Sequence, residues 1–195
     1  EIVMAPSFAP DALELLCTKK NLRVLKVDMS KDNTVRKQYV SMNGGMLVQD
    51  RDINTKPVSA EQCVTEAKPT AEQLADLEFA WKIVKHVKSN AIVVAKNGMT
   101  YGVGAGQMNR IGSAEIALKQ AQATLKEEGK DIMTEGLVLA SDGFFPFNDC
   151  VALAAEYGIK AIVQPGGSIR DEDSVKLADE KGITMLFTGE RHFKH

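Results

Sequence analysis

The chain has 195 residues, 44% of them hydrophobic and 26% charged, a length and composition that suit one large or two small globular domains with a sizeable core. Its 24 basic and 26 acidic side chains leave a formal charge of −2, which gives no whole-chain attraction to nucleic acid or to an acidic membrane. Three widely spaced cysteines without a CxxC exclude a disulfide framework and a structural zinc site, and no apolar run is long enough to span a bilayer.

The expected setting is therefore a reducing, cytoplasmic one. The opening Glu-Ile-Val-Met-Ala-Pro, with no start Met, reads as the middle of something longer.

In chain order, residues 1–6 form a short β-rich run closed by Pro6. Residues 10–19 read as a helix, with Pro10 tolerated in its first turn. A strand over 22–27 follows, then a polar stretch. A third strand over 44–52 is entered through Gly44-Gly45. Residues 53–69, with Asn54, Pro57 and Pro69, read as a connection across the surface.

Thr70 and Gln73 have capping-box spacing, and Leu74, Leu77, Trp81, Val84 and Val87 recur at helical spacing, which predicts a helix from Thr70 to about Ser89. Asn97-Gly98 between two apolar runs predicts a hairpin. Residues 113–128 predict a helix with Ser113 as its cap and Gly129 as its stop. Strands then alternate with helices: Gly-Leu-Val-Leu-Ala-Ser from 136, a helix over 149–157, Lys-Ala-Ile-Val-Gln-Pro from 160, a helix over 171–181, and Ile-Thr-Met-Leu-Phe-Thr from 183. Such alternation argues for α/β architecture with parallel strands, and the hairpin makes the sheet mixed.

Each late strand runs into a loop of unusual chemistry: Ser-Asp-Gly-Phe-Phe-Pro-Phe-Asn-Asp over 141–149, Pro-Gly-Gly-Ser-Ile-Arg over 165–170, and Thr-Gly-Glu-Arg-His-Phe-Lys-His over 188–195. Ligands of open α/β sheets bind beyond the carboxyl ends of the strands, so three parallel neighbours would gather these loops on one rim. The phenylalanines offer a stacking surface, the Gly166-Gly167 amides an anion contact, Asp149 an acceptor for an amino-bearing ring, and Arg191 a bidentate phosphate clamp. The plainer readings are a core plug for the phenylalanines, an ordinary turn for Pro165-Gly166-Gly167, and a solvated tail for the basic terminus.

Gly102-Val103-Gly104-Ala105-Gly106 lacks the third glycine at Rossmann spacing and follows a hairpin instead of opening a βαβ unit. It is weak support for a nucleotide- or dinucleotide-binding module. His86 reads as a surface residue. His192 and His195 have no partners at metal-ligand spacing, and no nucleophile elbow is present. A purely structural dimerisation domain is the remaining alternative.

Taken together, "SNAIVVAKNGMTYGVGAGQMNRI", "SDGFFPFND", "PGGSIRDED" and the closing "RHFKH" resemble the carboxyl-terminal part of the bifunctional AICAR transformylase/IMP cyclohydrolase family of purine biosynthesis. "GGMLVQDRD" and "DLEFAWKIVKHVKSN" extend the resemblance across the chain.

The resemblance implies a three-layer αβα fold with a mixed sheet, cytidine-deaminase-like and zinc-free. Residues 1–69 would be the end of a preceding transformylase subdomain with its connection, and residues 70–195 the carboxyl-terminal subdomain. It implies formyl transfer from 10-formyltetrahydrofolate, as a co-substrate with no tightly bound cofactor, to the amine of AICAR. Ring closure to IMP would be catalysed by a separate amino-terminal region.

Asn90, Arg110, Phe144 and Arg191 would contact AICAR, with Arg191 on its phosphate. Ile111, Pro146, Phe147, Asp149, Ser168 and Ile169 would line the folate site. The resemblance also implies a homodimer, allows a monovalent cation beside Asn90 and Asp142, and leaves no role for nucleic acid or a membrane. The family's catalytic Lys-His-x-Asn-Pro-x-Gly motif has no match here. Lys85-His86 is an echo without the Pro-x-Gly, so the chain on its own is expected to be inactive.

Overall fold

A computed structural model describes residues 1–28, 37–54 and 56–194, which fall into two compact units, 1–53 and 54–195. His195 and residues 29–36 of the expected polar stretch lie outside the described residues.

In the first unit, β1 (Ile2–Ala5) and β2 (Arg23–Lys26) pair in parallel, with α1 (Pro10–Cys17) between them in sequence. β3 (Lys37–Met42) and β4 (Gly45–Asp50) form an antiparallel ribbon that turns at Gly44, where φ is +80°. Strand β3 falls in the stretch read as merely polar. Tyr39, Val40, Met42, Met46, Leu47 and Val48 are all exposed, so neither face of the ribbon carries the polar/apolar alternation that marks a half-buried strand.

The second unit holds a five-stranded mixed sheet in the order β6-β5-β7-β8-β9. β5 (Ile92–Lys96) runs antiparallel to both β6 (Met99–Gly104) and β7 (Val138–Ser141). β7, β8 (Ala161–Gln164) and β9 (Thr184–Phe187) are mutually parallel. The expected mixed α/β sheet is thus present. Asn97 and Gly98 both take positive φ, the backbone a two-residue turn needs to match the strand twist.

Alternate residues of these strands enter two separate cores. Ile92, Val94, Leu139, Ile162 and Met185 face one side with the apolar stripe of α3 (Arg110–Glu127), with Ile132 of the short α4 (Ile132–Glu135) and with α5 (Asp149–Glu156). Val93, Ala95, Val138, Ala140, Val163 and Leu186 face the other with Leu77, Ala80, Trp81 and Val84 of α2 (Ala71–Val84). Burial on both faces explains why the strands read as unbroken apolar runs.

The capping box of α2 is present: Thr70 Oγ1 accepts from the Gln73 amide at 3.1 Å, and Gln73 Oε1 accepts from the Thr70 amide at 3.0 Å. The helix stops at Val84, short of Ser89, because the amides of His86 and Val87 bond three residues back and tighten the last turn. Helix α3 begins three residues before the expected Ser113. Its cap is Asn109, whose Oδ1 accepts from the Gly112 amide at 2.8 Å, while Ser113 is fully buried and donates to the Asn90 carbonyl at 2.7 Å.

Residues 54–69 pack on the second unit and do not merely cross its surface. Val58 and Thr65 are buried, Cys63 bridges Leu186, and the Val64 amide donates to the Met185 carbonyl at 2.9 Å, covering the edge of β9. The compact units divide at 53/54.

The glycines of Gly102-Val103-Gly104 serve this packing. A Cβ on Gly102 would lie 1.9 Å from the Ala117 carbonyl oxygen, and one on Gly104 1.9 Å from that of Ser113. Strand β6 lies against the α3 backbone because it has no side chains there, and the glycines are not a phosphate loop. Gly104→Ala should lower stability by about 1–3 kcal/mol or more, since backbone must move to admit the methyl. Gly45→Ala, where nothing lies within 4 Å, should change the melting temperature little in the same calorimetric scan.

Candidate functional site

Because β7, β8 and β9 are parallel neighbours, their carboxyl ends open on one edge of the sheet, and the three loops touch there. The buried Gln164 ties the first two together: its Oε1 accepts from the Phe145 amide at 3.3 Å and from the Gly166 amide at 3.0 Å. The third loop follows the second, with the Thr188 amide donating to the Gln164 carbonyl and the Gly189 amide to that of Pro165.

The three phenylalanines separate by role. Phe145 is fully buried and plugs the core under α3 and α5. Phe144 is half-buried and carries the Arg191 guanidinium 4.7 Å from its ring centroid; Phe193 flanks the same guanidinium at 5.9 Å. Phe147 is half-exposed, and the Arg170 guanidinium lies 5.0 Å from its ring centroid. Both outward rings therefore sit beneath cations at cation–π distance.

Below Phe144 lies a buried polar centre. Arg110, at the first turn of α3, ion-pairs with the fully buried Asp142. Its Nη1 also donates to Ser141 Oγ at 3.0 Å, and its Nη2 to Asn90 Oδ1 at 2.8 Å. Asn90 Nδ2 in turn donates to the Gln107 carbonyl at 2.9 Å. Gly143 is the spacer: a Cβ there would stand 2.5 Å from Arg110 Nη2 and 3.0 Å from Phe193.

Four of the expected contact residues, Asn90, Arg110, Phe144 and Arg191, thus gather around Gly143. Arg110 is held inside the protein, only 8% exposed, so its first role is structural.

The remaining expected residues are more scattered. Pro146 is exposed and Ile169 fully solvent-facing, and Ile111 packs partly against the α3-side core. Ser168 Oγ accepts from the Arg170 amide at 3.1 Å. The exposed Asp149 opens α5 and accepts from the Cys150 amide at 2.8 Å.

The Gly-rich loop is not an open anion nest. The Gly166 amide is engaged by Gln164, the Gly167 amide donates to Asp171 Oδ2 at 2.6 Å, and α6 (Asp171–Lys181) begins with Asp171, Glu172 and Asp173.

The basic terminus, whose plainer reading is a solvated tail, is docked over its described residues. His192 is 3% exposed with its ring 4.5 Å from that of Trp81, its amide donates to the Asp142 carbonyl, and Lys194 exchanges hydrogen bonds with Ser89. Arg170, Phe193 and Ser89 emerge here as residues of the rim that sequence reading did not assign to a ligand contact. Among the described residues no group of three or more His, Cys, Asp or Glu is placed to hold a metal ion.

The domain is thus a mixed α/β fold whose rim carries two stacked Arg-Phe pairs and, inside it, a buried Arg-Asp pair. A family profile described as the AICARFT/IMPCHase bienzyme matches residues 1–120. The chain belongs to that family.

Over its whole length it is 57% identical to the bifunctional purine biosynthesis protein PurH of Anoxybacillus flavithermus and 56% identical to that of Lactobacillus delbrueckii subsp. bulgaricus, spanning 36% and 37% of their lengths. Among solved structures, a guanine deaminase from Nitrosomonas europaea is similar over 66% of this chain and 81% of its own, with 19% identity and a TM-score of 0.42. A dCMP deaminase from cyanophage S-TIM5 is similar over 55% and 90%, with 17% identity and a TM-score of 0.36. Likeness at that level says nothing of this chain's chemistry.

Burial, and next the charge of Asp149, push the Cys150 thiol from its ordinary 9.0 up to about 12, with Arg110 pulling the other way. Iodoacetamide near pH 8 should therefore label the exposed Cys17 and spare Cys150 until the chain unfolds. The folded chain keeps this proton where the unfolded chain releases it. The contribution is complete below about pH 9 and is lost as pH rises towards about 12. Urea melts at near pH 8 and about pH 10 should show the loss, and Cys150→Ala should reduce it.

Proposed function

We propose that this chain forms the carboxyl-terminal part of an AICAR transformylase/IMP cyclohydrolase, and that its loop rim binds AICAR and 10-formyltetrahydrofolate for formyl transfer. The observation that carries the reading is the Arg191 guanidinium held over Phe144 beside Asn90 and Arg110, in a member of this family.

Arg191 takes the ribonucleotide phosphate, because its planar fork can bond two phosphate oxygens at once. Phe144 supports the flat imidazole, and Asn90 and Arg110 lie toward its carboxamide. Phe147, Pro146, Ile111 and Ile169 give the folate an apolar wall, while Ser168 and Asp149 meet its polar edges. The folate is a co-substrate.

The weakly basic AICAR amine must attack the formyl carbon, lose a proton and have the developing oxyanion stabilised. This chain supplies position and orientation. The proton acceptor and the electrostatic stabiliser belong to the family's Lys-His motif, which is absent from the sequence. In this reading residues 70–195 are a zinc-free, cytidine-deaminase-like αβα subdomain and residues 1–69 the end of its predecessor with the connection. The whole protein is a cytoplasmic homodimer whose sites take residues from both subunits.

Two measurements test this. In the intact protein, Arg191→Ala should weaken AICAR binding about tenfold to a hundredfold, the worth of roughly 1.5–3 kcal/mol for a hydrogen bond to a charged group, with a smaller effect on folate. Equal loss of both ligands in calorimetry would remove Arg191 from the phosphate. The purified 195-residue chain should show no formyl transfer above background, since loss of a general base alone costs about 10²–10⁴ in rate. Turnover close to that of the intact protein would refute the division of labour.

A further inference from the structure

We infer that Asp142 is a positioning residue that sets both arginines of the rim, Arg110 directly and Arg191 through the docked carboxyl-terminal tail. The ligand consequence rests on the AICAR reading above; the docking itself does not.

Asp142 is fully buried at the end of β7, and both of its carboxylate oxygens are engaged. Oδ1 accepts from Arg110 and from the Ala91 amide at 3.1 Å; Oδ2 accepts from Ser89 Oγ. Its main chain works in parallel, the amide donating to the Ala91 carbonyl and the carbonyl accepting from His192 at 3.0 Å.

Ser89 passes the constraint on. Its hydroxyl proton points to the carboxylate, which leaves the oxygen free to accept from the Lys194 amide at 3.0 Å. Its own amide donates to the Lys194 carbonyl at 2.8 Å. The tail is therefore held at His192 and at Lys194, on either side of Phe193, and Arg191 precedes the first anchor. Gly143 closes the arrangement, because Arg110 Nη2 and Phe193 both crowd the space its missing side chain would fill.

A carboxylate suits this position because it alone accepts on both oxygens. In Asp142→Asn the amide nitrogen either faces the guanidinium, donor against donor, or turns the Ser89 hydroxyl round to accept from it, so that the hydroxyl proton loses its carboxylate acceptor. Ser89→Ala leaves the Asp142–Arg110 pair and the main-chain bonds to the tail in place and removes only the hydroxyl link between the carboxylate and the Lys194 amide, so it serves where Asp142→Asn fails to fold.

Trp81 is the sole tryptophan and touches His192, which makes its emission a report on tail docking. In the 195-residue chain, Ser89→Ala should shift Trp81 emission and speed hydrogen exchange of residues 190–194 by about tenfold or more, with the melting transition retained. In the intact protein the same variant should lower AICAR affinity by about tenfold and spare folate. Asp142→Asn should lower AICAR affinity further, because it releases Arg110 as well. A tail that stays protected with unchanged Trp81 emission in both variants would overturn the inference. A loosened tail with wild-type AICAR affinity would uphold the positioning and instead refute the role given to Arg191.

Discussion

The buried pair of Asp142 and Arg110 is the constraint from which the rest of the rim follows. Removing two charges from water is expensive, and attraction between them offsets that only when the remaining hydrogen-bonding capacity is also met. Here it is met from four directions: the start of β5 through Ala91, the loop before it through Ser89 and Asn90, the end of β7 through Ser141, and the first turn of α3 through Arg110 itself. An unpaired partner would cost about 3–5 kcal/mol. Another register of β5, β7 and α3 would forfeit this pairing, and the loop that bears Phe144 starts from the point it holds.

Much of this architecture is legible in the sequence where local chemistry carries it. Asn97-Gly98 marks its hairpin because two positive φ angles select those residues, and Thr70 with Gln73 marks the start of α2 because both halves of the capping box are local. The start of α3 is not legible in the same way. Asn109 caps it, but Gly112 follows at a helical position and Ser113 looks like a cap. The Ser113 hydroxyl in fact bonds Asn90, 23 positions away, which no local pattern records.

The site divides along the same line. That aromatics and arginines gather beyond three parallel strands follows from the order of strands and loops. Which phenylalanine is core does not, because a loop has no period: Phe145 is buried while Phe144, one residue earlier, is half-exposed. Ser89 escapes detection because its bonds to Asp142 and to the tail span 53 and 105 positions. The Gly-rich loop misleads for a related reason. Its amides look available in the sequence, but a side chain from β8 and one from α6 occupy them.

The choice of cation at the rim follows from the same physics. An ammonium over an aromatic ring is a compact, strongly hydrated charge, and desolvating it competes with its attraction to the ring. A guanidinium is weakly hydrated and planar, and it keeps its N–H donors in a fixed fork while its carbon lies over the π face. Arg191 over Phe144 and Arg170 over Phe147 thus hold positive charge on apolar surface with bidentate geometry preserved. The acidic first turn of α6 follows directly on Arg170, so the field there is partly neutralised. Beside Arg191 in sequence stands the single acid Glu190, which pairs with Lys56 at 2.6 Å. Of the two stacked arginines Arg191 is the one whose surroundings leave the greater pull on a dianionic phosphate, and the tail anchors at His192 and Lys194 keep that pull above Phe144.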